Sequence, residues 1–117
     1  MSLPNLRALA SNRPQDAALI DKLDGFLTPG REYTFDRLVE LTGADEATLS
    51  LILGELVKHK FLHQIFRVES PAGGGIDDFE SFKDVPVTIK DWRAGDREIP
   101  VTSRNLRIVY EPTTDGV

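Results

Sequence analysis

Two groups of ionisable side chains have the separations that metal ligands and acid–base catalysts require. His59 and His63 stand four residues apart, which is the spacing of a metal-binding pair on one face of a helix. Phe61-Leu62 between them marks a change from helical to strand character, and this change places the two imidazoles on different faces. We therefore expect solvated or capping histidines and no metal site at these positions.

Asp77, Asp78 and Glu80 form the second group. Carboxylates this close together can bind Mg²⁺ or serve as a general acid and base. They follow a run of glycines at residues 73–75, so a polar loop beside a flexible turn is the simpler interpretation. The glycine run lacks the Lys and Ser or Thr of a phosphate-binding loop, and the chain shows no Ser-His-Asp or dinucleotide-binding pattern. The sequence therefore predicts a protein that is not an enzyme, with no cofactor and no small-molecule substrate.

Composition narrows the classes of partner and compartment. The chain has 117 residues, about the length of one domain, and a formal net charge of −5 at pH 7. Such a chain has no global field that attracts nucleic acid or an anionic membrane. The lack of cysteine excludes disulfides, a thiolate nucleophile and cysteine zinc ligands. Residues 1–7 show no signal-peptide pattern, and no apolar run approaches the roughly 18 residues that span a bilayer, so we expect a cytoplasmic protein without membrane contact.

The spacing of apolar residues predicts an α+β chain that begins with three helices. The first opens at Pro14 and stops at residues 28–30, Thr-Pro-Gly. Its predicted buried stripe consists of Leu19, Leu23 and Phe26 or Leu27. Thr34 is the predicted N-cap of the second helix, and Gly43 lies where the following turn requires a positive φ. The third helix runs from about Asp45 to Lys58. The predicted inner positions of the second and third helices are Leu38, Val39, Ala44, Leu49, Ile52, Leu53, Leu56 and Val57.

Residues that favour strands dominate the second half of the chain. A strand over 61–68, a glycine-rich turn over 70–75 and a return segment from Ile76 predict a β-hairpin. Three further β-rich pieces, over 85–89, 98–101 and 106–110, predict a small appended antiparallel sheet. We expect this sheet to be held by apolar side chains, namely Phe82, Val85, Ile89, Trp92, Ile99, Val101, Ile108 and Tyr110.

Residues 34–57 resemble the helix-turn-helix superfamily, and the helix before them and the hairpin after them resemble its winged-helix branch. The run Gly-Ala-Asp-Glu-Ala-Thr-Leu-Ser over residues 43–50 is similar to the turn and second helix of many bacterial repressors. Residues 79–110 look like a zinc ribbon without its cysteines. A winged helix followed by such a ribbon is similar to the domain order of general transcription factor E-type proteins. This resemblance implies a winged helix-turn-helix of three helices and a β-hairpin wing, in a superfamily that includes transcription factors and modules that bind only proteins. The predicted organisation is an N-terminal arm over 1–13, a winged-helix domain over 14–82, a β-rich appendage over 83–111 and a flexible tail over 112–117.

The solvent face of the third helix argues for a protein partner. None of its residues is Arg, Lys, Asn or Gln, the side chains that pair best with base edges. This face is formed by Asp45, Glu46, Ala47, Ser50, Leu51 and Gly54. Leu51 makes the helix apolar nearly all round, so either the N-terminal arm or the C-terminal sheet covers it, or a partner does. Trp92-Arg93, in a turn, is a second candidate anchor, although a core tryptophan of the small sheet is the favoured interpretation.

These observations predict a non-enzymatic protein–protein interaction or regulatory adaptor module. Its partner is another protein or a second copy of the chain. The predicted interface residues are Glu46, Ala47, Ser50, Leu51, Gly54, Trp92 and Arg93. The alternative is a DNA-binding transcriptional regulator whose contacts come from the wing and its flanks, through Arg37, Lys58, Lys60, Arg67 and Arg104.

Overall fold

A computed structural model of the chain describes residues 13–113, which form an α+β structure with three helices and six strands. The helices are α1 (Ala17–Phe26), α2 (Phe35–Thr42) and α3 (Glu46–Lys58). The strands are β1 (Tyr33–Thr34), β2 (Leu62–Glu69), β3 (Gly75–Phe79), β4 (Thr88–Asp91), β5 (Arg97–Pro100) and β6 (Leu106–Pro112). Of the predicted arm and tail, all but residues 13, 112 and 113 lie outside the described range. No helix between residues 13 and 113 has the length and apolar character needed to cross a membrane.

Local capping sets the starts of α2 and α3. Thr34 Oγ1 accepts a hydrogen bond from the Arg37 amide at 3.1 Å, which satisfies one of the free donors at the start of α2. Asp45 Oδ2 accepts from the Thr48 amide at 3.1 Å in the same way at the start of α3. Gly43 has a φ of 66°, and this left-handed conformation ends α2 and turns the chain into α3. The predicted cap at Thr34, the predicted start of the third helix near Asp45 and the predicted turn at Gly43 are confirmed.

The chain divides into two compact units, and the described part of the first comprises residues 13–63 and 110–113. Its core consists of apolar side chains from the three helices, from the segments that follow α1 and α3, and from β6. These side chains are Ile20, Leu23, Leu27, Leu38, Leu49, Ile52, Leu53, Leu56, Phe61, Leu62 and Tyr110. The predicted α1 stripe is wrong at one position, because Ile20 is buried and Leu19 is half-buried. Val39, Ala44 and Val57, predicted to be inner positions, are also half-buried.

Two antiparallel ladders organise the strands. A four-stranded sheet has the order β1-β6-β2-β3, and β4 pairs with β5 in a separate two-stranded ladder. In the hairpin, Phe66 pairs with Phe79, and the register shifts by a bulge between Val68 and Glu69. The sequence predicts that β6 joins β4 and β5 in one small sheet. This prediction is wrong, because β6 lies between β1 and β2.

The second unit, residues 64–109, has a small core. Its buried apolar side chains are Ile65, Val68, Ile76 and Val109. Two residues predicted to hold this part of the chain together are instead exposed: Phe82 by 65% and Trp92 by 56%. Phe82 lies edge-on against Phe66, with their ring centroids 5.9 Å apart. The prediction of a core tryptophan is wrong because Trp92 lies in a short 3₁₀ turn between β4 and β5.

Candidate interaction surfaces

The outer face of α3 is open to solvent in the described structure. All six residues that the sequence assigns to this face are exposed: Asp45, Glu46, Ala47, Ser50, Leu51 and Gly54. On the opposite side of the helix, Leu49 and Ile52 are fully buried, which fixes the orientation of the outer face. We call these six exposed residues the α3 face.

Leu51 is the apolar centre of the α3 face. Leu51 is 62% exposed, so the described residues leave it largely uncovered. This favours a surface open to a partner over one covered by another segment of the chain. Its neighbours Ala47, Ser50 and Gly54 are small. A Cβ added at Gly54 has nothing within 4 Å, so packing inside the chain does not require glycine there. Glycine in a helix interior costs about 1 kcal/mol relative to alanine.

Charge varies along the α3 face. Glu46 lies in the first turn, where a carboxylate interacts favourably with the positive end of the helix dipole. Asp45 is committed to capping, since its Oδ2 also accepts from Thr48 Oγ1 at 3.1 Å. Lys58 lies in the last turn, where a cation is favourable. The face is therefore acidic at its start and apolar in its middle, and its residues lack the donors that read bases.

The basic residues named for nucleic-acid contact lie on separate elements. Arg37 on α2 forms an ion pair with Glu40 at 3.1 Å, and Arg67 on β2 forms one with Asp78 on β3 at 2.8 Å. Lys58 and Lys60 are exposed and near each other at the end of α3, and Lys60 has a φ of 65°. Arg104 is exposed in the segment between β5 and β6.

One member of the predicted carboxylate cluster, Asp78, is paired with an arginine. Asp77 and Asp78 lie in β3 rather than in a polar loop. Arg67 donates two hydrogen bonds to the Asp78 carboxylate, from Nε at 2.8 Å and from Nη2 at 3.0 Å. These hydrogen bonds lower the pKa of Asp78 below its ordinary value of 3.8. Partial burial raises the pKa, and the positive charge of Arg67 lowers it further, so the pKa remains lowered. Asp78 is thus a charged member of an ion pair and unsuited to act as a general acid near neutral pH.

The two histidines lie on different elements. His59 follows the last residue of α3, and its Nε2 lies 3.6 Å from Glu55 Oε2. His63 lies in β2. The change from helix to strand that the sequence predicts between them is confirmed.

Trp92 and Arg93 form a fixed pair on the second unit. The Arg93 guanidinium lies 4.5 Å from the centroid of the Trp92 ring, in cation–π geometry. Trp92 Nε1 donates to the Ile76 carbonyl at 3.0 Å, and Arg93 Nε donates to the Gly75 carbonyl at 2.6 Å. Both carbonyls belong to β3, the last strand of its sheet, so the pair covers part of a sheet edge. This contact gives the pair a structural role while leaving both side chains exposed.

Sequence reasoning missed a buried polar contact beside this pair. Asp91 is 1% exposed, and its Oδ2 accepts a hydrogen bond from Ser70 Oγ at 2.6 Å. Its Oδ1 accepts from the Arg93 amide at 3.1 Å, while Ser70 Oγ accepts from the Ala72 amide at 3.1 Å. The contact joins the β2–β3 turn to the turn after β4. An aspartate before a short turn signals a cap, but no local signal identifies a partner 21 residues away.

Two surface clefts lie within the second unit. One, of about 460 Å³, is lined largely by charged residues, of which Arg67 and Asp78 form an ion pair with each other. The other, of about 490 Å³, lies beside Pro100 at the end of β5 and includes Arg104. The sequence indicates neither cleft, since each is formed by segments far apart along the chain.

Comparison with known proteins gives no relative: no protein-family model, no curated protein and no solved structure matches this chain. Its function is therefore inferred from its own residues.

Proposed function

We propose that this chain is a non-enzymatic protein–protein interaction or regulatory adaptor module, built on a winged helix-turn-helix, that binds a protein partner through the α3 face. The observation that carries the proposal is Leu51, an apolar side chain 62% exposed at the centre of a capped and well-packed helix. Exposed apolar groups that lie among small residues are typical of contact surfaces.

The winged-helix part of the proposal is supported by element order. Three helices precede the antiparallel β2–β3 hairpin, and the turn between α2 and α3 contains a left-handed glycine. The hairpin takes the place of the wing, with residues 70–74 as its tip. In such a scaffold α3 is the helix that meets the ligand, which is why its exposed residues bear on function.

The chemistry of the α3 face favours protein over DNA as the partner. Reading bases requires donors such as Arg or Asn, and the face offers acidic, small and apolar groups instead. A partner that fits would supply an apolar depression for Leu51 and a basic group near Glu46. The small side chains on either side of Leu51 allow such a partner to approach the helix closely.

The DNA-binding alternative is supported by a smaller set of residues. Arg37 and Arg67 form ion pairs with carboxylates, although Arg37 itself is exposed. Lys58, Lys60 and Arg104 are also exposed. Exposed cations favour contacts with phosphate, which give affinity without sequence preference.

A single substitution tests the proposed interface. We expect Leu51→Arg to leave the melting temperature nearly unchanged, because the side chain is exposed. It should weaken association at least about tenfold, because it removes an apolar contact and places a charge in the patch. Association is measured by capture from native cell extract with quantified partners, and by sedimentation velocity to detect a second copy of the chain.

A matched pair of variants controls for added charge. Ala47→Arg alters the α3 face, and Ala18→Arg places the same side chain on α1, where the alanine is also exposed. We expect only the first to weaken association. A large drop in melting temperature for Leu51→Arg with no change in association would show that the residue has an intramolecular role and would overturn the proposal.

A further inference from the structure

The cleft beside β5 has the size and lining of a small-ligand site. Its volume of about 490 Å³ falls within the range of roughly 300–1,000 Å³ that is typical of such sites. Pro71, Ile99 and Pro100 give it apolar surface, and its charged lining residues are Glu69, Arg104 and Arg107. All of these residues belong to the second unit.

Most acceptor atoms around the cleft are already used. Asn105 Oδ1 accepts from the Thr102 amide at 2.7 Å, and Thr102 Oγ1 accepts from the Arg104 amide at 3.2 Å. The Pro100 carbonyl accepts from Asn105 Nδ2 at 3.0 Å. These bonds fix the shape of the loop after β5. The Thr102 hydroxyl proton and one Asn105 side-chain N–H remain available as hydrogen-bond donors.

The two arginines of the cleft are in different situations. Arg107 Nε lies 3.4 Å from Glu69 Oε1, and its Nη1 donates to the Leu106 carbonyl at 3.1 Å, so this guanidinium and Glu69 neutralise each other. The Arg104 guanidinium makes no hydrogen bond or ion pair with another residue between 13 and 113. Within the described part of the chain, Arg104 therefore supplies one positive charge to this cleft that no carboxylate neutralises, although the whole chain carries a net charge of −5.

We propose that this cleft binds a small molecule bearing a carboxylate or phosphate group, whose oxyanion pairs with Arg104 and whose apolar part lies against Ile99 and Pro100. A guanidinium can hold either group with two parallel hydrogen bonds. Thr102 and Asn105, which also line the cleft, supply further donors. The site does not involve the α3 face, so it is independent of the proposed adaptor function.

Titration of the ¹⁵N-labelled chain, followed by amide chemical shifts, tests the proposal. The probes are acetate, butyrate, inorganic phosphate and butyl phosphate, which separate the two oxyanions and the contribution of the apolar wall. We expect saturable shifts at the amides of Thr102, Arg104 and Asn105. We also expect at least threefold tighter binding for the butyl member of each pair, because added methylenes leave water.

Matched variants assign the site. Arg104→Gln should weaken binding at least tenfold, and Arg104→Lys should weaken it less because the charge remains. Arg97→Gln removes an exposed arginine of β5 that does not line the cleft and should leave binding unchanged. Equal losses for Arg97→Gln and Arg104→Gln would indicate non-specific attraction and overturn the proposal.

Two further outcomes also count against the proposed site. Absence of saturable shifts with all four probes up to tens of millimolar would overturn it. Binding of a random single-stranded oligonucleotide that depends on Arg104, without binding of the small anions, would identify a nucleic-acid surface instead. The dispersed amide spectrum of each variant reports folding in the same experiment.

Discussion

Arg67 holds Asp78 in its charged form, and this pair gives the fold a dependence on pH. The pKa of Asp78 is lowered in the folded state, chiefly by its hydrogen bonds from Arg67. A group with a depressed folded-state pKa stabilises the fold above its unfolded value of 3.8, and this contribution is lost as pH falls through the lowered pKa. The two side chains are 23% and 46% exposed, so solvent screening keeps the contribution modest.

We therefore expect Asp78→Asn to lower the free energy of unfolding at pH 7 by less than about 1 kcal/mol. The difference from wild type should shrink as pH falls below 3.8, because the wild-type carboxylate then takes up a proton. Chemical denaturation at a series of pH values measures this. Asp77→Asn is the control, since it removes a neighbouring β3 charge and retains the Arg67 pair. A difference that persists unchanged in acid would contradict the prediction.

Individual residues differ in how well the sequence alone predicts them. Thr34 as a cap and the start of α3 near Asp45 are predicted correctly because the signal is local: each side chain accepts a hydrogen bond from an amide only three residues away. Asp91 is missed because its partner Ser70 is 21 residues distant. Trp92 is wrongly predicted to be buried because a large aromatic residue in a small sheet suggests a core position. In the structure a backbone carbonyl binds its indole N–H, and the ring remains exposed.

Helix α3 contains a glycine whose position suggests a cost to stability. Gly54 is exposed within the helix, and an added Cβ meets nothing within 4 Å. We expect Gly54→Ala to raise the free energy of unfolding by about 0.5–1 kcal/mol, because alanine loses less backbone entropy. Gly43→Ala should instead lower it by about 1 kcal/mol or more, because a φ of 66° is strained for alanine.

Chemical denaturation of both glycine variants checks these opposite signs, and a stability loss for Gly54→Ala would show unrecognised packing at that site. The same variant also bears on the proposed α3 interface. A partner that approaches the helix closely at Gly54 would bind Gly54→Ala more weakly even though the isolated protein is more stable. Such opposite changes in stability and association are not expected of a helix face without a partner.

The elements themselves are easier to predict than their pairing. The limits of α3 and the hairpin around residues 70–74 follow from capping residues, apolar periodicity and glycine, all of which are local. β6 is correctly recognised as a strand but is predicted to pair within the C-terminal segment. In the structure it lies between β1 and β2. A single sequence does not reveal this position, because the pairing of strands depends on contacts between distant parts of the chain.

The distribution of charge over the chain bears on the choice between protein and nucleic-acid partners. The net charge of −5 opposes attraction to the phosphate backbone, which supplies most of non-specific affinity. Among the basic residues named for DNA contact, Arg37 and Arg67 already pair with carboxylates. Lys58 and Lys60 are exposed close together in the sequence at the end of α3.

We therefore expect no sequence-specific DNA binding by this chain. Fluorescence anisotropy with random duplex DNA at low salt should show affinity no tighter than the high micromolar range, because exposed lysines alone give weak contacts that salt disrupts. The double variant Lys58→Gln and Lys60→Gln should weaken whatever binding remains, whereas Leu51→Arg should not reduce it, since it adds a cation to the α3 face. Nanomolar, salt-sensitive binding by the wild type that Leu51→Arg weakens would mean that α3 meets DNA directly. The adaptor proposal would then give way to the DNA-binding alternative.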